Sequence, residues 1–329
     1  MRRREFLGAL GSAVVLRPFE VRAQQGERLR RIGILMPFPS SSSEAQARVR
    51  AFREELRKRG WAAGFNVQFD ERWTGDDMEL IRSSAANLVE LNPDVILAVG
   101  GRVIPILMEK TRTIPIVIPG GSDPVARGYV ESLARPGGNV SGFALMEISV
   151  LGKMLQTLKE AAPGVTHVSM IYNPDNPVTA LFARTFTSAA EPLGIEPTVA
   201  HVHGLSDIER VVVATAARPD GGILIPPDIT IEALAEQTVA MVAQHRLPAI
   251  YPLRSFVQNG GLIYYGSDRV DLYRNSASYV DRVLRGEKVG DLPYQQPTKY
   301  ELVINMNTAR TLGLSIPPRL LFLADEVIE

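Results

Sequence analysis

The stretch Pro93–Phe143, PDVILAVGGRVIPILMEKTRTIPIVIPGGSDPVARGYVESLARPGGNVSGF, decides how the rest of the chain is read. It holds two short apolar, β-rich runs, Val95 to Val99 and Ile114 to Ile118. Each run stops at a glycine pair, Gly100-Gly101 or Gly120-Gly121, and the spacing beyond each pair predicts a helix. Buried parallel strands look like this when they deliver loops to the carboxyl edge of a sheet, which is where open α/β sheets bind ligands.

Outward from that stretch, the same alternation continues in both directions. Upstream, Arg31 to Met36 reads as a strand, Ser43 to Gly60 as a capped helix, Asn66 to Trp73 as a strand and Met78 to Leu91 as a helix. Downstream, Val140 to Leu145 is a strand, after which the pattern restarts with strands at His167 to Tyr172, Glu196 to Val202, Gly222 to Ile225 and Pro248 to Pro252, separated by helices. The predicted fold class is therefore α/β: two Rossmann-like, doubly wound lobes joined by a hinge, with a ligand cleft between them. Further strands at Gly261 to Gly266 and Pro297 to Met306, a helix at Leu272 to Arg285 and helices around Thr308 to Leu312 and Pro318 to Val327 have the chain crossing back. The expected division is lobe 1 from 31–144 plus 259–286 and lobe 2 from 145–258 plus 287–329, with crossings near Leu145, Asn259 and Gly286 to Leu292.

Bulk properties narrow the function. The 329 residues are 45% hydrophobic and 22% charged, with Lys plus Arg and Asp plus Glu both at 36, so nothing calls for nucleic acid as a partner. Residues 1–23 carry five Arg and two Glu; the remainder has 31 basic and 34 acidic residues, a net charge of −3. That N-terminal block, with Arg2-Arg3-Arg4-Glu5-Phe6-Leu7, an apolar run Gly8 to Leu16 and a small-residue site at Val21-Arg22-Ala23, reads as a twin-arginine signal peptide cleaved after about Ala23. The expected location is the periplasm. With no cysteine, disulfides, thiolate metal sites and lipidation at the cleavage site are excluded.

Catalytic motifs are missing: the first strand-to-helix turn, MPFPSSSSEA, has no glycine for a dinucleotide site, and neither a P-loop nor a nucleophile elbow occurs. His201 and His203 share a strand face but lack a third ligand at a supporting spacing, so no metal and no cofactor is expected. Asp123 and Asp228 both follow strand ends and admit three readings: an acid and base pair, partners for a cationic ligand group, or helix and turn caps. Phe38 and Tyr251 belong to a set of aromatic residues near the same edges, and Arg102 and Arg254 are candidates for a carboxylate clamp. The loop from Ser40 and Ser41 to Ser43 reads either as filler or as a carboxylate site at a helix N-terminus, and its place after the first strand favours ligand contact.

From Arg31 to Glu329 the chain resembles the ABC-transporter substrate-binding protein family that includes the tryptophan-binding lipoproteins. The resemblance is carried by RIGIL at Arg31, by IPIV and GGSDPVARGYVESLARPGGNVSG within Ile114 to Gly142, by NPDNP at Asn173, by HRLPAIYPLRSFVQNGGLIYYG at His245, and by DLPYQQPTKYELVINMNTARTLGLSIPP at Asp291. It implies the periplasmic-binding-protein type I fold and a non-enzymatic clamp, which is expected to work as a monomer. Such a clamp takes an amino acid or related carboxylate, aromatic ones included, and delivers it to an inner-membrane permease driven by an ATPase. By motif position it also implies ligand contacts at Ser122 and Asp123 of the first lobe, and at Tyr172, Asn173, Asp228 and Tyr251 of the second; Gly101, Gly121 and Asn176, in the same strand-end loops, are further candidates. Arg102 departs from the family, which usually has a small hydroxyl or proline there; a cation in the cleft mouth favours an anionic ligand. The rival expectations are a sensor that presents its ligand to a membrane receptor kinase, and an enzyme using Asp123 or Asp228 as a base.

Overall fold

The computed structural model describes residues 28–176 and 178–329, so the signal-peptide reading of residues 1–23 lies outside the described residues. Two sheets form. The first contains β1 (Arg30–Met36), β2 (Val67–Trp73), β3 (Val95–Ala98), β4 (Ile116–Gly121) and β5 (Val140–Ala144), all parallel, in the order β2-β1-β3-β4-β5. Its central strand β3 is an unbroken apolar run because it is buried on both faces: Val95, Ile96, Leu97 and Ala98 are all fully shielded from solvent. The helices α1 (Ser43–Lys58), α2 (Met78–Glu90) and α3 (Val103–Lys110) cover it. In α1, Ser42 caps the first turn by accepting from the Ala45 backbone N–H at 3.3 Å, and Ala45, Val49, Phe52 and Leu56 form the buried stripe.

The second lobe begins with α4 (Val150–Ala161) and continues as β6 (His167–Tyr172), α5 (Thr179–Ala190), β7 (Glu196–His201), α6 (Leu205–Ala216) and β8 (Gly221–Leu224). Next come α7 (Ile229–Ala233), α8 (Ala235–Gln244), β9 (Ala249–Tyr251), α9 (Arg254–Gln258) and β10 (Ile263–Gly266). The chain then lays α10 (Arg269–Leu284) on lobe 1 and returns as β11 (Glu301–Asn305), α11 (Met306–Thr311), α12 (Pro318–Leu323) and β12 (Glu326–Ile328). The order of the second sheet is β12-β11-β10-β9-β8-β6-β7, with β11 antiparallel to β10.

The expected doubly wound α/β class is present in both lobes, with four local corrections. Ile263–Gly266 joins the second sheet rather than the first: Ile263 sits opposite Ile250 of β9 and Ile304 of β11. The β9-to-β10 connection, about a dozen residues including α9, is near the minimum for a parallel crossover and reaches only a neighbouring strand. Secondly, the return from lobe 1 lies later than expected, because Tyr294 and Gln295 still bond to Leu133, Gly142 and Ala144 of lobe 1. The crossings are therefore at Leu145, Ser267 and the 296–300 segment. Thirdly, no helix follows Gly120-Gly121; the chain makes tight turns around Pro124 and Val125. Lastly, the helix expected to reach Val327 stops at Leu323. Asp325 breaks it by accepting the Leu302 N–H at 2.9 Å, which seats β12 against β11.

Candidate functional site

Each sheet reverses strand order once at its carboxyl edge: between β1 and β3 in the first, and between β6 and β8 in the second. Loops leaving such a switch point on opposite sides open a crevice. The two crevices face each other, and their loops enclose about 720 Å³ of empty space, the open mouth included.

Lobe 1 contributes Phe38 after β1, Gly100 and Gly101 after β3, and Gly121 and Ser122 at the end of β4. Gly100 has φ +108°, and a Cβ there would come within 3.0 Å of Pro37, so the loop needs glycine to pass this close. From lobe 2 come Asn176 after β6 and Asp228 after β8. Apolar walls are supplied by Ile104, Ile118, Leu145, Leu272 and Tyr273.

Of the residues named from sequence, Phe38, Gly101, Gly121, Ser122, Asn176 and Asp228 line this cleft, and the structure brings them together from five loops. Arg102 and Asn173 stand beside it, in a smaller recess at the mouth. There Arg102 is ion-paired with Asp76, and Asn173 donates to Thr230 Oγ1 at 2.9 Å.

The others lie elsewhere. Ser40 is exposed and offers its carbonyl to Gln46, while Ser41 faces a separate flank groove; the serine run works mainly as the cap of α1. Asp123 adopts φ +42° and turns its carboxylate onto the Ala126 N–H at 3.1 Å, capping the turn that follows. Tyr172 bonds His201 Nε2 at 2.8 Å on the far side of β6. Tyr251 is buried in the lobe 2 core, stacked on Phe256 at 4.9 Å, and Arg254 ties α9 to Glu301 at 3.0 Å and to Glu326.

Five charged groups in the cleft define its electrostatics. Asp228 is a buried helix cap: its two oxygens accept the backbone N–H groups of Asn173 at 3.1 Å, Thr230 at 3.0 Å and Ile231 at 3.3 Å. Burial outweighs those bonds and, with Glu232 nearby, pushes its carboxyl above the usual carboxylate range. Glu232 is clasped by Arg269 through two parallel bonds of 2.6 and 2.7 Å. Arg48, only 2% exposed, pairs with Glu44 at 2.8 Å and lies 5.3 Å over the Phe38 ring. Arg127 donates to the Gly101 carbonyl at 2.7 Å and rests 4.9 Å over Tyr129. Burial pushes the Tyr129 hydroxyl up to about 12 despite that guanidinium, so it stays protonated.

Sequence reasoning missed Arg48, Arg127, Glu232 and Arg269. A signal existed for one of them: Arg48 falls on the buried stripe of α1, where an arginine has no ordinary business. Arg127 lies inside the quoted opening stretch, but without a known turn at Asp123 its direction could not be inferred.

The lobes also touch directly. Thr230 Oγ1 donates to Asp76 Oδ2 at 3.2 Å, Ser255 Oγ donates to Glu44 Oε2 at 3.2 Å, and Asn176 Oδ1 lies 3.0 Å from where a Cβ on Gly101 would stand. Side chains from both lobes meet around the cleft, a closed clamp.

The family described as ABC transporter substrate binding protein matches residues 32–328. This chain belongs to that family. A tyrosine-binding protein of Clostridioides difficile (strain R20291) is 25% identical over 265 residues, 80% of this chain and 76% of that one. An ABC domain from Streptococcus pneumoniae solved in complex with L-Trp superposes with a TM-score of 0.84 at 23% identity, over 91% of this chain and 99% of that chain. A ligand-free, open structure of a substrate-binding protein with adhesive properties from Clostridium difficile, also 23% identical and with the same coverage, reaches 0.67. The family member thus has the type I periplasmic-binding-protein fold. Among the described residues no helix is long and apolar enough to cross a membrane.

Proposed function

We propose that this protein is the exported solute receptor of an ABC importer. It would capture a small organic carboxylate, an amino acid or a related acid with an apolar or aromatic body, and present the closed clamp to a permease and its ATPase. The observation that carries the reading is the cleft formed by both switch points at once. A solute held there touches Gly101 and Arg127 of one lobe and Asn176 of the other only when the lobes are shut, so binding shifts the open-to-closed equilibrium. The names of the tyrosine- and tryptophan-binding relatives support an amino-acid-sized ligand. Asp123 and Asp228 are committed to backbone N–H groups on separate loops, which favours binding over acid–base chemistry. The segment at residues 1–23 supports periplasmic delivery, and work as a monomer is part of the proposal.

A thermal-shift screen of amino acids, aromatic and aliphatic acids and metabolite extracts tests it. A ligand at 100 times its Kd adds about 2.7 kcal/mol of stability. No shift from any of these sinks the receptor reading; chemical conversion of a captured compound by the purified protein favours an enzyme, and co-purification with a receptor kinase in place of a permease favours a sensor. Recovery of the protein from the periplasmic fraction with Gln24 as its first residue is the expected outcome for location.

A further inference from the structure

We infer that the solute is a carboxylate that lacks an α-ammonium group, anchored by Arg127; this rests on the solute-receptor reading above and narrows its ligand class.

Most charges in the cleft are already answered. Its two acids among the described residues, Asp228 and Glu232, are already engaged: Asp228 by three backbone N–H groups, Glu232 by the two-pronged grip of Arg269. An incoming ammonium would have to share either carboxylate with the donors that already hold it, a poor return for the water it gives up. The cations are in the opposite condition. Arg127 lines the cleft half-buried, held by a carbonyl and a ring face, and no carboxylate of the described residues pairs with it. Arg48 and Arg269 keep buried Nε groups that have no hydrogen-bond partner among the described residues, and both line the same cavity. Glu44 answers Arg48 and Glu232 answers Arg269, which leaves Arg127 as the cleft guanidinium that no carboxylate of the described residues faces. A planar carboxylate facing Arg127 supplies the missing partner with two-pronged geometry. Phe38, Ile118, Leu145 and Leu272 then take an apolar body. The chemistry recognised is an aryl- or alkyl-substituted acid, which sets this chain apart from relatives named for tyrosine and tryptophan.

Calorimetric titration of the full-length protein with matched pairs decides the matter: phenylalanine against 3-phenylpropionate, tyrosine against 3-(4-hydroxyphenyl)propionate, and leucine against 4-methylpentanoate, with 3-phenylpropionamide as the uncharged control. At least one acid is expected to bind tenfold or more tighter than its amino acid, and the amide tenfold or more weaker than its acid. Amino acids binding as tightly as the acids overturn the inference while leaving the receptor reading intact. If neither series binds, the component of a metabolite extract that stabilises the protein decides: an ammonium group on it overturns the inference, its absence with a carboxylate present supports it, and no active component ends both readings. Arg127→Gln is expected to weaken acid binding at least tenfold and Arg127→Lys to recover part of the loss. Unchanged affinity in Arg127→Gln removes Arg127 as the anchor, and the ligand pairs on the unaltered protein stand whether or not that variant folds.

Discussion

Gly101 shows how one missing side chain sets the closing distance of the clamp. Its φ is not one that demands glycine, yet a Cβ would stand 3.0 Å from Asn176 Oδ1 across the cleft and 3.1 Å from Arg127 Nη1. Gly101→Val should therefore tax the closed form far more than the fold of lobe 1. The expected outcome is a tenfold or larger loss of ligand affinity, about 1.4 kcal/mol, with a nearly unchanged melting midpoint of the free protein. Small-angle scattering should show a larger radius of gyration; equal affinity and an equal radius would refute the role. Glu44 offers a second test. Burial pushes its carboxyl up, but Arg48, Arg269 and the hydrogen bond from Ser255 together outweigh burial and hold it below the ordinary value of 4.5. A depressed folded-state pKa adds stability above the unfolded value and loses it as pH falls through the folded one. The urea midpoint of the protein should thus fall more steeply below pH 4.5 than that of Glu44→Gln, and parallel curves would count against the assignment. Legibility at this scale was uneven, for a physical reason. Phe38, Gly101 and Ser122 were readable because a strand end fixes where the next residues go, whereas Asp123 and Tyr251 were not. A left-handed turn redirects the first, and the parity of a three-residue strand decides the face of the second.

Among the elements, those with strong periodicity were the legible ones. His167–Tyr172 matches its sequence reading residue for residue, and α1 and α10 differ from theirs by a few residues at the ends. What failed was pairing and termination, which depend on partners that periodicity does not name. The strand at Glu326–Ile328 exists because Asp325 finds the Leu302 N–H, a contact more than twenty residues away along the chain. The β4–β5 pair gives an element-scale prediction. Gly142 has φ +153° opposite Ile118, and a Cβ would lie 2.1 Å from the Ile118 carbonyl oxygen. Gly142→Ala must therefore push the two strands apart, and an exceptional loss for a single substitution, roughly 4 kcal/mol or more, is expected in denaturant unfolding. A loss below about 1 kcal/mol would show that the pair can relax.

For the molecule as a whole, the Arg269–Glu232 pair joins the start of α10, the helix packed on lobe 1, to α7 of lobe 2. Both side chains are almost completely buried, at 10% and 4% exposure. Removing one partner strands the other charge, so Arg269→Leu should cost about 3–5 kcal/mol, while adding Glu232→Leu should return most of that loss. Urea midpoints of the two variants check the cycle; a double variant no better than the single would mean that the pair itself, and not the stranded charge, carries the energy. The doubly wound class was legible from sequence because strand–helix alternation restarts at residue 150, but the places of the later crossings and the owner of each late element were not. That ownership has a bearing on the order of synthesis. Helix α10 closes the face of lobe 1, where Trp61 Nε1 donates to Asp281 at 2.8 Å across 220 residues of chain. The first lobe cannot be completed until most of the second has been made. Its core waits, half covered, until nearly nine-tenths of the protein has emerged, and the contacts that finish it span long loops whose closure is slow. The two lobes therefore mature almost together, at the end of translation rather than in sequence.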